Sequence, residues 1–135
     1  MKIMIVDDME PVIYAMKQKF DGTEHTIVAE ITDPSELDIK IQENNPDAIL
    51  MDVNMGTYNG IALIGELKDK YPLLKIVIMS GDVCNSYMAL NKGADGFVSK
   101  MERTENVLKV FDDISKDEKH SFLEYNCVWH DGNIK

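Results

Sequence analysis

The chain has 135 residues, 44% hydrophobic and 28% charged, which suits one globular domain of ordinary size. Its net charge of -10 and pI near 4.6 argue against a phosphate-binding patch, and so against direct nucleic-acid binding. No apolar run approaches the ~20 residues of a bilayer span; the start, MKIMIVDD, lacks a signal-peptide pattern; and Cys84 and Cys127 have no CxxC partner, so reduced thiols and a cytoplasmic location are expected.

Residues 2–7 read as a buried strand, IMIV, ending in Asp7 and Asp8. Pro11 starts a helix over about 10–20, with Ile13, Met16 and Phe20 at helical spacing, and Asp21-Gly22 ends it. TIVAEI, 26–31, predicts the second strand. Asp33 is placed to cap a second helix, with Pro34 in its first turn and Glu36 three residues after the cap. Leu37 and Ile41 share one face of that helix, and Asn44-Asn45-Pro46 stops it. AILMDVNMGTYNG, 48–60, is a third buried strand that exposes Asp52 and breaks into a polar loop.

A third helix is expected over 60–71, with Ile64 and Leu67 inward and Lys68, Asp69 and Lys70 outward; Pro72 closes it. KIVIMS, 75–80, is the fourth strand, and 83–91 a less regular helix ended by Lys92-Gly93. GFVSK, 96–100, is a short fifth strand, and 102–115 the last helix, with Val107, Phe111 and Ile114 on one stripe. Strands alternating with helices through short connections imply parallel βαβ units, and the continuous apolar strands imply a sheet covered on both faces. The expected division is a domain over 1–115 and a C-terminal tail over 116–135, extended or partly disordered, in which Trp129 and Cys127 offer a small apolar anchor. His25, His120 and His130 show no ligand spacing and read as surface residues; the nine methionines read as core filler.

In a parallel sheet the strand C-termini share one edge, where open α/β folds place their sites. That edge would gather Asp7, Asp8, Asp52, Ser80 and Lys100. Taken singly, each has a plain alternative: Asp52 as a cap or turn residue, Asp7-Asp8 as helix openers, Ser80 as a turn residue, Lys100 as a surface lysine. Taken together, three crowded carboxylates repel unless a cation joins them. An all-oxygen set without His or Cys suits a hard ion such as Mg2+. Lys100 would supply fixed positive charge to a phosphoryl group and Ser80 a hydrogen bond, leaving Asp52 as a carboxylate nucleophile toward phosphorus.

IVDD with Asp7 and Asp8, LMDVNM with Asp52, IMSGD with Ser80 and GFVSK with Lys100 occur in that order on successive strands. Over about residues 1–115 this resembles the response-regulator receiver domains of two-component signalling. The resemblance implies a flavodoxin-like, doubly wound, five-stranded parallel sheet of order 2-1-3-4-5 with five helices. It makes Asp52 the phosphoacceptor, Asp8 a direct Mg2+ ligand, Asp7 a ligand through water, and the backbone carbonyl of Asn54 a further ligand. Ser80 takes the place of the switch hydroxyl, Lys100 that of the family's lysine, and Phe97 that of the aromatic that turns inward as Ser80 moves. Packing alone would equally place an aromatic at Phe97. Asn54 and Asp82 match positions that tune how water reaches the acyl phosphate.

Two residues depart from the family pattern. Gly56 stands where a Pro often follows the acceptor loop's Met, which leaves that loop freer. Met101 stands where many receivers have Pro after the lysine, which puts a cis bond there in doubt. The segment KGADGFVSK resembles receivers of the NarL type, which usually precede a DNA-binding domain; a stand-alone or excised receiver is expected here. The implied partners are a histidine kinase or phosphotransfer protein upstream, and a downstream protein or a second copy as the reader of the signal, with no membrane. The chain would assist its own phosphorylation and hydrolysis without being a conventional enzyme. The alternative is a phosphorylation-independent interaction module with the same fold. An Asp-nucleophile phosphatase would need an acid where Asn54 stands, and a flavodoxin-like electron carrier would need a phosphate cradle in place of DDMEP.

Overall fold

The computed structural model describes residues 1–82 and 85–116. The tail expected beyond Lys116, with His120, Cys127, Trp129 and His130, lies outside the described residues, as do Val83 and Cys84. The elements run β1 (Lys2–Val6), α1 (Glu10–Lys19), β2 (Thr26–Ile31), a 3-10 turn (Pro34–Glu36), α2 (Leu37–Asn44) and β3 (Ala48–Asp52). A short hairpin of β4 (Asn54–Met55) and β5 (Tyr58–Asn59) follows, then α3 (Gly60–Lys70), β6 (Lys75–Ser80), α4 (Asn85–Asn91), β7 (Gly96–Ser99) and α5 (Thr104–Ser115).

The main sheet is parallel throughout, ordered β2-β1-β3-β6-β7. With the hairpin set aside this is the predicted 2-1-3-4-5 order. The apolar runs of β1, β3 and β6 are buried because both faces of the sheet are covered. Their alternation sorts the core into two layers. Ile3, Ile5, Leu50, Val77 and Val98 meet Ile13, Met16 and Phe20 of the α1 segment and Val107, Val110, Phe111 and Ile114 of α5. Met4, Val6, Ile49, Met51, Ile76 and Ile78 meet Leu37 and Ile41 of α2, Ile61, Ile64 and Leu67 of α3, and Ala89 of α4.

Four local expectations are corrected. Asp33 does cap, its carboxylate accepting from the backbone N–H of Ser35 at 3.0 Å, but it caps the 3-10 turn; α2 itself begins at Leu37. The acceptor loop, expected to be freer, has a regular path. It closes as a hairpin in which Gly56 supplies a φ of +58 at the first central position, the place a type II′ turn reserves for glycine. Lys68 does not point outward: its ammonium turns back to Asp95 and to the Leu74 carbonyl, 2.8 Å away, tying α3 to the entry of β7. His25 is buried, 5% exposed, because its ring packs edge-on against Phe20 and Phe111. Its Nδ1 lies 3.1 Å from the N-terminal amine and its Nε2 2.9 Å from Asp112 Oδ1.

Candidate functional site

The strand order puts the C-terminal ends of β1 and β3 side by side, where β1 separates the outward course of the chain through β2 from its return through β3, β6 and β7. Such a switch point opens a crevice beyond the strand ends. Asp7 and Asp8 follow β1 directly, and Asp52 is the last residue of β3. Their carboxylates converge so that one oxygen from each lies within 4.8 Å of the others. Asp7 and Asp52 are buried and Asp8 is exposed.

Lys100 follows β7, and its backbone N–H donates to the Ser80 carbonyl at 2.9 Å. From there the side chain reaches across the end of β6. Its ammonium stands 3.1 Å from Asp52 Oδ1 and 3.4 Å from Asp7 Oδ2. Burial by itself would lower the Lys100 pKa; the hydrogen bond and charge of Asp52, then those of Asp7, outweigh it and hold the ammonium above its ordinary value. Burial pushes the Asp7 carboxyl up, and repulsion from Asp52 adds to it, against a 2.9 Å hydrogen bond from the Met9 backbone N–H and the charge of Lys100.

Three carboxylates facing one ammonium leave a net negative pocket. Asp7 is fully buried, and its Oδ2 accepts no hydrogen bond. The Lys100 ammonium, 3.4 Å away and shared with Asp52, is its charge partner, and one ammonium does not balance three carboxylates. The all-oxygen donor set and the Asp7 oxygen without a hydrogen bond together fit a hard divalent ion. A cleft of about 410 Å³ lined by Asp8, Met9, Glu10, Pro11 and Thr32 opens beside the cluster. A larger cleft, about 670 Å³, lies at the opposite edge of the sheet among Pro46, Asp47, Leu73 and Lys75, and holds none of these groups. Glu24, His25 and Asp112 also gather at that opposite end, but both His25 ring nitrogens are already engaged, which makes the group a packing bridge.

The other predicted positions fall as follows. Asn54 opens the hairpin two residues past Asp52, with its side chain exposed. Ser80 is buried at the end of β6, its Oγ accepting from the Asp82 backbone N–H and from Asn85 Nδ2, both at 3.0 Å. Phe97 is fully buried in the layer under α4 with Ala89 and Ala94. The described residues contain no cis peptide bond, which accords with Met101 in place of proline.

Sequence reasoning missed two residues. The pattern marks Gly60 as a loop end and helix start, yet its backbone N–H donates to the Val53 carbonyl at 2.6 Å, and an added Cβ would lie 2.2 Å from the Asp52 carbonyl oxygen. The NG pair before the helix was the available signal. Asn85 carried no signal, because its bond to Ser80 crosses a loop whose path no local pattern specifies.

The sequence profile of the response regulator receiver domain matches residues 3–112. The transcriptional regulatory protein DegU of Brevibacillus brevis is 32% identical over 107 residues, covering 73% of this chain and 43% of DegU. The chemotaxis protein CheY of Listeria monocytogenes is 26% identical over 118 residues, covering 86% of this chain and 99% of CheY. The crystal structure of a LuxR-family two-component response regulator from Aurantimonas superposes with a TM-score of 0.86 at 20% identity, over 99% of this chain and 98% of that one, a likeness of fold. The chain spans between 18% and 54% of the length of the first curated relatives it matches.

Proposed function

Because the chain belongs to the response regulator receiver domain family, whose members act in two-component signalling, we propose that Asp52 accepts a phosphoryl group from a histidine kinase or phosphotransfer protein. An Asp52 carboxylate oxygen forms the new P–O bond as the P–N bond to the donor imidazole breaks, and the imidazole leaves with its electron pair and takes a proton from solvent. The observation that carries this reading is the 3.1 Å approach of the Lys100 ammonium to Asp52 inside a cluster of three carboxylates. Lys100 keeps its proton: it holds Asp52 in place before transfer and afterwards balances charge on the phosphoryl oxygens.

Asp7, Asp8, Asp52 and the backbone carbonyl of Asn54 would hold Mg2+. When bound, the ion supplies positive charge beside the transferring oxygens. Ser80 then offers its hydroxyl to a phosphoryl oxygen, and the shift is read by a downstream protein or a second copy at the surface around α4, β7 and α5. The chain assists its own phosphorylation and the later hydrolysis of the acyl phosphate, and is not an enzyme with a separate turnover substrate. A phosphorylation-independent module would be expected to lack one of these groups, and none is missing from the cluster.

Intact mass after incubation with Mg2+ and a small phosphodonor tests the reading. Wild type should gain one phosphoryl group and Asp52→Asn none, since the amide keeps the size but not the nucleophile. Uptake by Asp52→Asn at the wild-type rate would place the acceptor elsewhere, with Asp7 or Asp8 next to be examined.

A further inference from the structure

Ser80 is held through its hydroxyl by residues that follow it in the chain. Both acceptor positions of its hydroxyl are taken, by the backbone N–H of Asp82 and by the side-chain amide of Asn85, each at 3.0 Å. Both partners lie downstream, in the β6–α4 connection and at the first residue of α4. The Asp82 bond is a local turn that any serine could form. The Asn85 bond differs, because it joins the end of a buried strand to the start of a helix through two side chains. It also survives a flip of the amide, since a hydroxyl donates to a carbonyl oxygen as readily as it accepts from an NH2. Asn85 is half-buried, and its backbone N–H donates to the Asp82 carbonyl at 3.1 Å.

We infer that Asn85 is a latch: it holds the Ser80 hydroxyl away from Asp52 and ties the release of that hydroxyl to the first turn of α4. The inference rests on the proposed role of Ser80 toward a phosphoryl group on Asp52. Ser80 Oγ accepts from Asn85 and keeps its own proton to donate; in the latch, turning that hydroxyl toward such a group on Asp52 breaks the Asn85 bond. α4 loses the side-chain tie at its first residue in the same event. α4 is short, seven residues, and buries only Ser86 and Ala89 fully. One tie is therefore a sizeable share of what positions its start. Asn85 touches neither the reacting atoms nor the acid cluster; it is a positioning residue that sets how much of the population has Ser80 available.

The test is the rate of phosphorylation by a small phosphodonor, followed by intact mass, for Asn85→Ala with Ser80 present and with Ser80→Ala. A latch makes Asn85→Ala faster than wild type by about two- to tenfold, the population change worth one net hydrogen bond, and makes the same substitution silent when Ser80 is absent. A loop that Asn85 merely props up would give a slower protein, and that result overturns the latch. So does an unchanged rate, or equal acceleration without Ser80. Thermal melts confirm that each variant folds; should Asn85→Ala fail to, Asn85→Thr, which keeps a helix-starting side chain without the amide, carries the comparison. If wild type takes up no phosphoryl group, the proposed function fails separately. The latch is then judged by amide hydrogen exchange: loss of protection in α4 in both Asn85→Ala and Ser80→Ala upholds it, and unchanged protection overturns it.

Discussion

Gly60 is the position where a single methyl group should damage both the fold and the site. It is the first residue of α3, with no positive φ, so the backbone itself tolerates any side chain. In open space, Gly60→Ala would gain up to about 1 kcal/mol from reduced freedom of the unfolded chain. The space is not open. An ideal Cβ would stand 2.2 Å from the Asp52 carbonyl oxygen and 3.1 Å from both the Asp52 carbonyl carbon and the Val53 Cα. All three are main-chain atoms, so no rotamer change relieves the overlap, and either β3 or the start of α3 must move. Overpacking of this kind costs about 1–3 kcal/mol. With backbone as the obstacle the upper part of that range applies, and the net loss is roughly 2 kcal/mol, or about 5–10 °C in the melting midpoint for a domain of this size. Because the displaced atoms belong to Asp52, phosphorylation should slow by at least about tenfold, as a shift near 1 Å does at a reacting group. Gly65, also in α3, has nothing within 4 Å of its Cβ position. Gly65→Ala should therefore stabilise the helix by about 0.5–1 kcal/mol and leave phosphorylation alone. Urea melts and phosphodonor kinetics on the two variants decide the matter. If Gly60→Ala matches wild type in stability and rate, the close approach of α3 to the acceptor strand is wrong.

Mg2+ at about ten times its dissociation constant should raise stability by about 1.4 kcal/mol, seen as a higher melting midpoint, and Asp8→Ala should abolish the rise; a midpoint indifferent to Mg2+ in wild type would refute the metal assignment. His25→Ala should cost about 2–3 kcal/mol in urea unfolding, since it empties a buried site between Phe20 and Phe111 and strands the Asp112 bond; a loss near zero would mean the ring is not packed there. Hydrogen bonds from Lys70 and then Tyr71 hold the Asp38 carboxyl below the usual carboxylate range. A depressed carboxyl stabilises above its unfolded value and loses that contribution as pH falls through the folded one. The stability gap between wild type and Asp38→Asn, on the order of 0.5 kcal/mol for so exposed a pair, should therefore be present at pH 6 and close below about pH 4; a gap that widens on acidification would contradict the sign.

The apolar runs IMIV, AILM and KIVIM, and the acids, serine and lysine that end them, were legible from the sequence because burial and strand alternation are local properties of composition. So was the sheet order, since short connections between such strands leave few topologies. The candidate site was legible for the same reason: in a parallel sheet every strand delivers its end to one edge, and Asp7, Asp8, Asp52, Ser80 and Lys100 are all the last residue of a strand or within two residues of it. What the sequence could not decide depends on atoms brought together from distant positions. His25 sits in a polar stretch, and only the packing of α1 against α5, which sets Phe20 against Phe111, encloses it. Lys68 has an outward helical phase, and only the arrival of Asp95 at the entry of β7 turns its ammonium inward. Gly60 is an ordinary loop glycine until the end of β3 comes within contact of it, and the hydroxyl of Ser80 has a direction only once Asn85 is folded against it. Periodicity assigns each residue to a face or an edge; close approaches, buried partners and the direction of a hydroxyl are set by distances between elements, and those exist only after the layers have packed.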